Sequence, residues 1–144
     1  MRYLLDTSVL SELVKRRPDA RLRRWIDAQS PLDLALSVLS LGEIEKGIAR
    51  LPAGRRRTTL SRWARVELPS QFTGRLLGID AAVAVAWGAL SARAARDGRP
   101  LPVIDGLLLA TAQARDLTLV TRNASDCAGR GVPVFDPWTG ELRE

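Results

Sequence analysis

Histidine is absent from this chain of 144 residues. That absence excludes a Ser-His-Asp triad, a histidine-assisted nuclease and any zinc site with imidazole ligands. Cysteine occurs once, at Cys127, so neither an intrachain disulfide nor a thiolate metal cluster is available. A lone thiol also fits a reducing compartment, and the expected location is the cytoplasm. No apolar run approaches the roughly 20 residues of a membrane span; the longest, AAVAVAWGAL, covers Ala81 to Leu90. The apolar start MRYLL is cut by Asp6, unlike a secretory leader, and the expectation is a soluble protein. Whatever acid–base or metal chemistry the chain performs must therefore rest on carboxylates, hydroxyls and basic side chains.

Lysine is nearly absent as well. Of 22 basic residues only Lys15 and Lys46 are lysine, and the basic residues outnumber the 16 acidic ones to give a net charge of +6. The preference for arginine over lysine is what a GC-rich genome produces. The excess of positive charge is a separate matter and points toward a polyanionic partner such as nucleic acid. An apolar fraction of 46% and a charged fraction of 26% belong to an ordinary folded domain, and the length suits one. The expected organisation is a single domain over residues 1–144, with a core over 1–136 and a peripheral tail over 137–144.

Periodicity and punctuation predict alternating strands and helices. Strands are expected at Arg2–Leu5, Leu32–Ser37, Leu76–Ile79, Leu117–Thr121 and Val132–Phe135. Helices are expected at Thr7–Val14, Ala20–Ala28, Leu41–Leu51 and Leu60–Val66, from Asp80 as N-cap to Arg96, and at Asp105–Arg115. This alternation predicts an α/β fold with a central parallel sheet covered by helices on both faces. Functional crevices in such folds lie beyond the carboxyl ends of the strands.

Four acids fall at that rim. Asp6 follows the first strand, Glu43 lies in the first turn of the helix after the second, Asp105 opens the helix leading into LTLVT, and Asp126 follows that strand. Gathered carboxylates repel one another and call for a counter-charge, which a hard divalent cation with oxygen ligands supplies. Each acid also has a local alternative. Asp6 suits an N-cap, Ser40-Leu41-Gly42-Glu43 fits a capping box, Asp105 suits a helix dipole, and Asp126 beside Asn123 and Ser125 suits a turn. Cys127 reads as a redox handle or a buried filler. Trp87 lies on an apolar helix face, while Trp25 and Trp63 suit packing between helices or at a dimer interface. The basic stretch from Lys15 to Trp25 and the run Arg55–Arg57 read either as solvated surface or as phosphate contacts; Arg16, Arg17, Arg55, Arg56 and Arg57 are the candidates.

The segments LLDTSVLSEL, LSVLSLGEIEKGIARLP and VIDGLLLATAQARDLTLVTRNASDC, in that order, resemble the PIN domain. More narrowly they resemble VapC-type toxins of bacterial toxin–antitoxin pairs, including the FitB-like branch. The resemblance implies a three-layer α/β/α fold and a Mg2+- or Mn2+-dependent endoribonuclease. Its acidic site maps onto Asp6, Glu43, Asp105 and Asp126, with Asp6 and Asp105 as principal metal ligands. It also implies a homodimer and a cognate antitoxin whose tail enters the acidic groove. One departure is visible: Ser8 stands where the family commonly has asparagine. Thr121 and Asn123 match the family pattern as residues that orient the carboxylates or the substrate phosphate. Two other classes share such a fold. An aspartate-based phosphotransferase would use Asp6 as nucleophile but usually carries a second aspartate where this chain has Ser8; a non-catalytic RNA or protein interaction module would need no site at all.

Overall fold

The computed structural model describes residues 1–144. Five short strands run parallel: β1 (Tyr3–Leu5), β2 (Leu34–Ser37), β3 (Leu76–Leu77), β4 (Thr118–Val120) and β5 (Val134–Asp136). A sixth, β6 (Glu141–Arg143), pairs antiparallel with β5, so the segment expected as a peripheral tail is the edge of the sheet. Pro137 and Gly140, the latter at φ +79°, allow the chain to reverse there. The strand order is β3-β2-β1-β4-β5-β6. From β1 the chain winds outward to β3, then crosses back to β4 on the other side, so the winding reverses next to β1.

Side chains alternate along these strands and divide the core in two. Leu4, Ala35 and Leu119 face one layer, where they meet α6 (Ala81–Arg96) and α7 (Val103–Arg115) through Val83, Leu90, Leu108 and Leu109. Leu5, Leu34, Leu36 and Val120 face the other. There they meet α1 (Thr7–Leu13), α2 (Ala20–Ala28), α3 (Val38–Ala49) and α4 (Arg55–Arg62), with α5 (Leu68–Gln71) following α4. The result is a three-layer α/β/α fold.

Several local expectations shift by a turn for identifiable reasons. Helix α3 begins at Val38 because Ser37 is its cap, accepting the amide of Leu39 at 3.1 Å. Ser40 and Glu43 therefore sit inside the helix, and the capping box does not form. Helix α7 begins at Val103, directly after Pro102, so Asp105 lies in its first turn and does not open it. The helix expected at Leu60–Val66 is longer and changes character. After α4 the chain passes through a π turn, Trp63–Glu67, in which the Leu68 amide reaches back five residues to the Trp63 carbonyl. Pro69, with no amide hydrogen, follows in α5. Asp6 and Asp80 do cap their helices, through the amides of Thr7 at 2.7 Å and Val83 at 3.0 Å.

The tryptophans pack. Trp87 lies against the α6–α7 core, Trp63 against the opposite layer, and Trp25 sits edge-on to Tyr3 with ring centroids 5.0 Å apart. Trp87 also sets a steric limit on the helix that carries Asp105. A Cβ added at Gly106 would lie 3.2 Å from the Trp87 ring, so α7 approaches α6 across a residue with no side chain. Gly106→Val should therefore overpack this contact and cost about 1–3 kcal/mol, read as a lower denaturation midpoint with an unchanged slope. A variant as stable as wild type would show that the close approach is not a constraint.

Candidate active site

The carboxyl ends of β1, β2 and β4 lie side by side in parallel register, so the residues that follow them share one rim. Asp6 follows β1 and is held by three donors. Its Oδ1 accepts the Thr7 amide, while its Oδ2 accepts the Ser8 hydroxyl at 2.8 Å and the Thr121 hydroxyl at 2.7 Å. Thr121 is itself fixed, because its Oγ1 accepts the Asn123 amide at 3.1 Å. Ser8 thus contacts the first aspartate directly, as a hydroxyl donor in place of the family's usual amide.

Thr7 ties Asp6 to Glu43. Its Oγ1 lies 2.6 Å from Glu43 Oε1 and 2.9 Å from the fully buried Ser40 Oγ. A hydroxyl has one proton, and the short contact to a carboxylate claims it. Ser40 then donates to Thr7, giving a relay from Ser40 through Thr7 to Glu43. Sequence reading did not find this relay. The available signal was helical spacing, since Ser40 and Glu43 are three residues apart on one face of α3.

Asp105, Asp126 and Asn123 line one cleft of about 350 Å³, whose other walls include Arg99, Pro102 and Arg130. Burial pushes the Asp105 carboxyl above its ordinary value, and the charges of Asp6, Glu43 and Asp126 push it further. That coupling joins all four acids in one electrostatic unit. Cys127, on α8 (Ala124–Cys127), lies buried beneath it. Burial and the nearby charges of Asp105, Asp6 and Asp126 outweigh Arg130 and push its thiol up to about 12. Such a thiol stays protonated and unreactive, so Cys127 is a filler and not a redox handle.

No three carboxylates close on a common point as a ready-made ion cage. The donor set still fits a hard divalent cation: every candidate ligand is an oxygen, and Mg2+ usually takes one or two carboxylates directly and keeps several waters. None of the arginines singled out in the sequence lines the Asp105–Asp126 cleft. Arg16, Arg55 and Arg56 line a groove of about 850 Å³ between α1 and α4, and Arg56 shares a smaller hollow of about 240 Å³ with Glu43. Arg17 and Arg57 are not among the residues lining either. Arg99 and Arg130, which face Asp105 and Asp126, were not singled out.

The fold is a mostly parallel three-layer sandwich with a carboxylate pocket at the winding reversal. The PIN-domain family model matches residues 3–125, and the chain belongs to that family. Among curated proteins it is 36% identical to the VapC ribonuclease Y4jK of Sinorhizobium fredii, with 94% of this chain and 96% of that protein covered. It is 32% identical to the toxin FitB of Neisseria gonorrhoeae, over 94% of this chain and 97% of that one. The crystal structure of FitAcB from Neisseria gonorrhoeae superposes with a TM-score of 0.89 at 32% identity, covering 94% of this chain and 98% of that chain.

The raised Asp105 carboxyl has a consequence for stability. A carboxyl with a folded-state pKa above its unfolded value stabilises below the unfolded value, and that contribution is lost as pH rises through the folded value. At neutral pH, without metal, the ionised group therefore opposes folding. Asp105→Asn removes that penalty and forfeits a helix-terminus charge worth about 0.3–1 kcal/mol. The expected outcome in chelator near neutral pH is a variant at least as stable as wild type, its relative advantage growing as pH rises through the carboxylate range. Mg2+ at a hundredfold excess over its dissociation constant should then stabilise wild type by about 2.7 kcal/mol, and the variant much less. Denaturant melts of both proteins with and without Mg2+ measure this. A variant less stable in chelator that gains as much from Mg2+ as wild type would remove Asp105 from the site.

Proposed function

We propose that this protein is a divalent-metal-dependent endoribonuclease that acts as the toxin of a toxin–antitoxin pair. The observation that carries this reading is the gathering of Asp6, Glu43, Asp105 and Asp126 at one rim of the sheet, where burial and the other three charges raise the Asp105 carboxyl above its ordinary value, an arrangement that a cation would relieve. The names of the curated relatives, a VapC ribonuclease and a FitB toxin, support the reaction and the biological role. In this reading Asp6 and Asp105 would be the principal ligands of Mg2+ or Mn2+, and Glu43 and Asp126 would complete the acidic pocket. The bound cation supplies Lewis acidity for water attack on phosphorus and neutralises charge on the phosphate.

The chain's own groups fix the carboxylates. Thr121 and Ser8 hold Asp6 Oδ2 in one orientation. The Ser40–Thr7 relay holds Glu43. A covalent role for Asp6 is disfavoured, because Ser8 occupies the place of the second aspartate such enzymes use. The basic groove containing Arg16, Arg55 and Arg56 adds positive potential that draws a polyanion toward an acidic site.

The partner proposed is a cognate antitoxin whose tail enters the acidic groove and silences the site, and the working assembly is a homodimer. Solved structures at a TM-score of 0.89 are of FitA–FitB complexes, one of them bound to a DNA fragment. No helix is long and apolar enough to cross a membrane, which agrees with action in the cytoplasm.

The purified protein should cleave RNA only with Mg2+ or Mn2+ and stop when chelator is added. Products should carry 5′-phosphate and 3′-hydroxyl ends, because water attacks phosphorus and the 3′ oxygen leaves. Asp6→Asn should lower cleavage at least about a hundredfold and relieve growth arrest in a bacterial host at matched soluble expression. Product-end sequencing and a growth assay measure this. Cleavage in chelator, a 2′,3′-cyclic phosphate, or undiminished toxicity of Asp6→Asn would contradict the reading.

A further inference from the structure

The cleft that holds Asp105 and Asp126 has two cationic walls, Arg99 and Arg130. A smaller hollow of about 120 Å³ adjoins it, sharing both arginines and adding Arg93, Gly129 and one acid, Asp97, against three arginines. Neither Arg99 nor Arg130 is ion-paired with any carboxylate. Their hydrogen bonds go to main-chain carbonyls. Arg130 is firmly held: its Nε and Nη2 donate to the Asp126 carbonyl at 3.2 and 2.9 Å, and its Nη1 donates to the Arg99 carbonyl at 2.8 Å. It thereby fastens the turn bearing Asp126 to the loop that precedes α7.

Arg99 differs. Its contacts to the Ser125 and Ala128 carbonyls are 3.4–3.5 Å long, at the weak limit of such bonds. Its guanidinium rests against Gly129, where a Cβ would sit 3.5 Å from Nη1. It is an exposed, weakly tethered cation beside an acidic pocket that must accept a polyanion. A planar guanidinium offers paired donors to a phosphate.

We propose that Arg99 binds a backbone phosphate of the RNA strand next to the scissile one, with Arg130 as the positioning residue that fixes the Arg99 loop beside Asp126. This inference rests on the endoribonuclease reading above. It assigns the strand a path from the Asp105–Asp126 cleft into the adjoining hollow, which shares no lining residue with the hollow of Glu43 and Arg56. No carboxylate pair has to break for Arg99 to engage, so its charge is available to the incoming strand.

The test is the salt dependence of RNA binding in an Asp6→Asn background, which keeps the RNA intact. A labelled single-stranded RNA is titrated by fluorescence anisotropy with Mg2+ present, between roughly 50 and 200 mM salt. Adding Arg99→Gln should weaken binding about tenfold at the lowest salt. The slope of log affinity against log salt should fall in magnitude by about 0.7, the value for one lost phosphate contact on a single strand. Arg99→Lys, which keeps the charge, should hold the slope near that of the parent. Arg143→Gln, removing a cation paired with Glu141 on the edge strand, should leave it unchanged. A lower melting temperature for Arg99→Gln with an unaltered slope would mean that Arg99 only caps α8, overturning the proposal. An equal loss of slope in Arg143→Gln would overturn it too, as an effect of net charge alone. Failure of the parent itself to bind RNA at any salt would instead bring down the endoribonuclease reading, and this proposal with it.

Discussion

Like charges brought together at the end of a sheet repel, and four carboxyl groups at one rim are stable there only if the rest of the molecule holds them. Asp6, Glu43, Asp105 and Asp126 are in that position. The fold opposes the repulsion with covalent placement and donors. Asp6 sits just past β1, Asp126 lies on the short α8 that follows β4, and Glu43 and Asp105 ride on helices that pack against the sheet. Hydroxyls then supply the local donors: Ser8 and Thr121 for Asp6, Thr7 for Glu43. Neither Asp105 nor Asp126 has such a donor, and the Asp105 carboxyl is displaced upward by burial and by its three neighbours.

The same constraint gives meaning to distant packing. Leu4 and Leu5, on adjacent residues of β1, anchor the two core layers and so fix where Asp6 emerges. Gly106 lets α7 lie close to Trp87, one residue from Asp105. Arg130 ties the Asp126 turn to the approach to α7 through three bonds to main-chain carbonyls. Each contact is ordinary in energy. Together they keep four groups within mutual electrostatic reach, which none of the groups would choose in water.

Much of this was legible in the sequence because strand and helix spacing alternate cleanly. Asp80 marked the start of α6, and Asp6 and Asp126 stood after strand-like runs. What was not legible depended on contacts across the chain. The capping box at Ser40–Glu43 satisfied a local rule, yet Ser37 one turn earlier took the cap and freed both residues for the relay with Thr7. The last residues carry few apolar side chains, so they read as peripheral; backbone pairing with β5 and packing of Trp138 hold them in place. The Arg55–Arg57 run drew attention as a sequence pattern, whereas Arg99 and Arg130 are isolated in the chain and meet only through the fold. As for Asp6, its two readings proved compatible, since the same carboxylate caps α1 through Oδ1 and joins the acidic pocket.

The central claim is that the four acids form one coupled unit that is strained without a cation. Titration of the Asp105 carboxyl carbon by NMR in metal-free protein, compared between wild type and Asp6→Asn, tests it most directly. In wild type the group should titrate above 3.8, its ordinary value. In Asp6→Asn it should move back toward that value without reaching it, because burial is the larger cause and Glu43 and Asp126 remain. Titration at the ordinary value in both proteins, or an Asp105 unmoved by the loss of the Asp6 charge, would contradict the account.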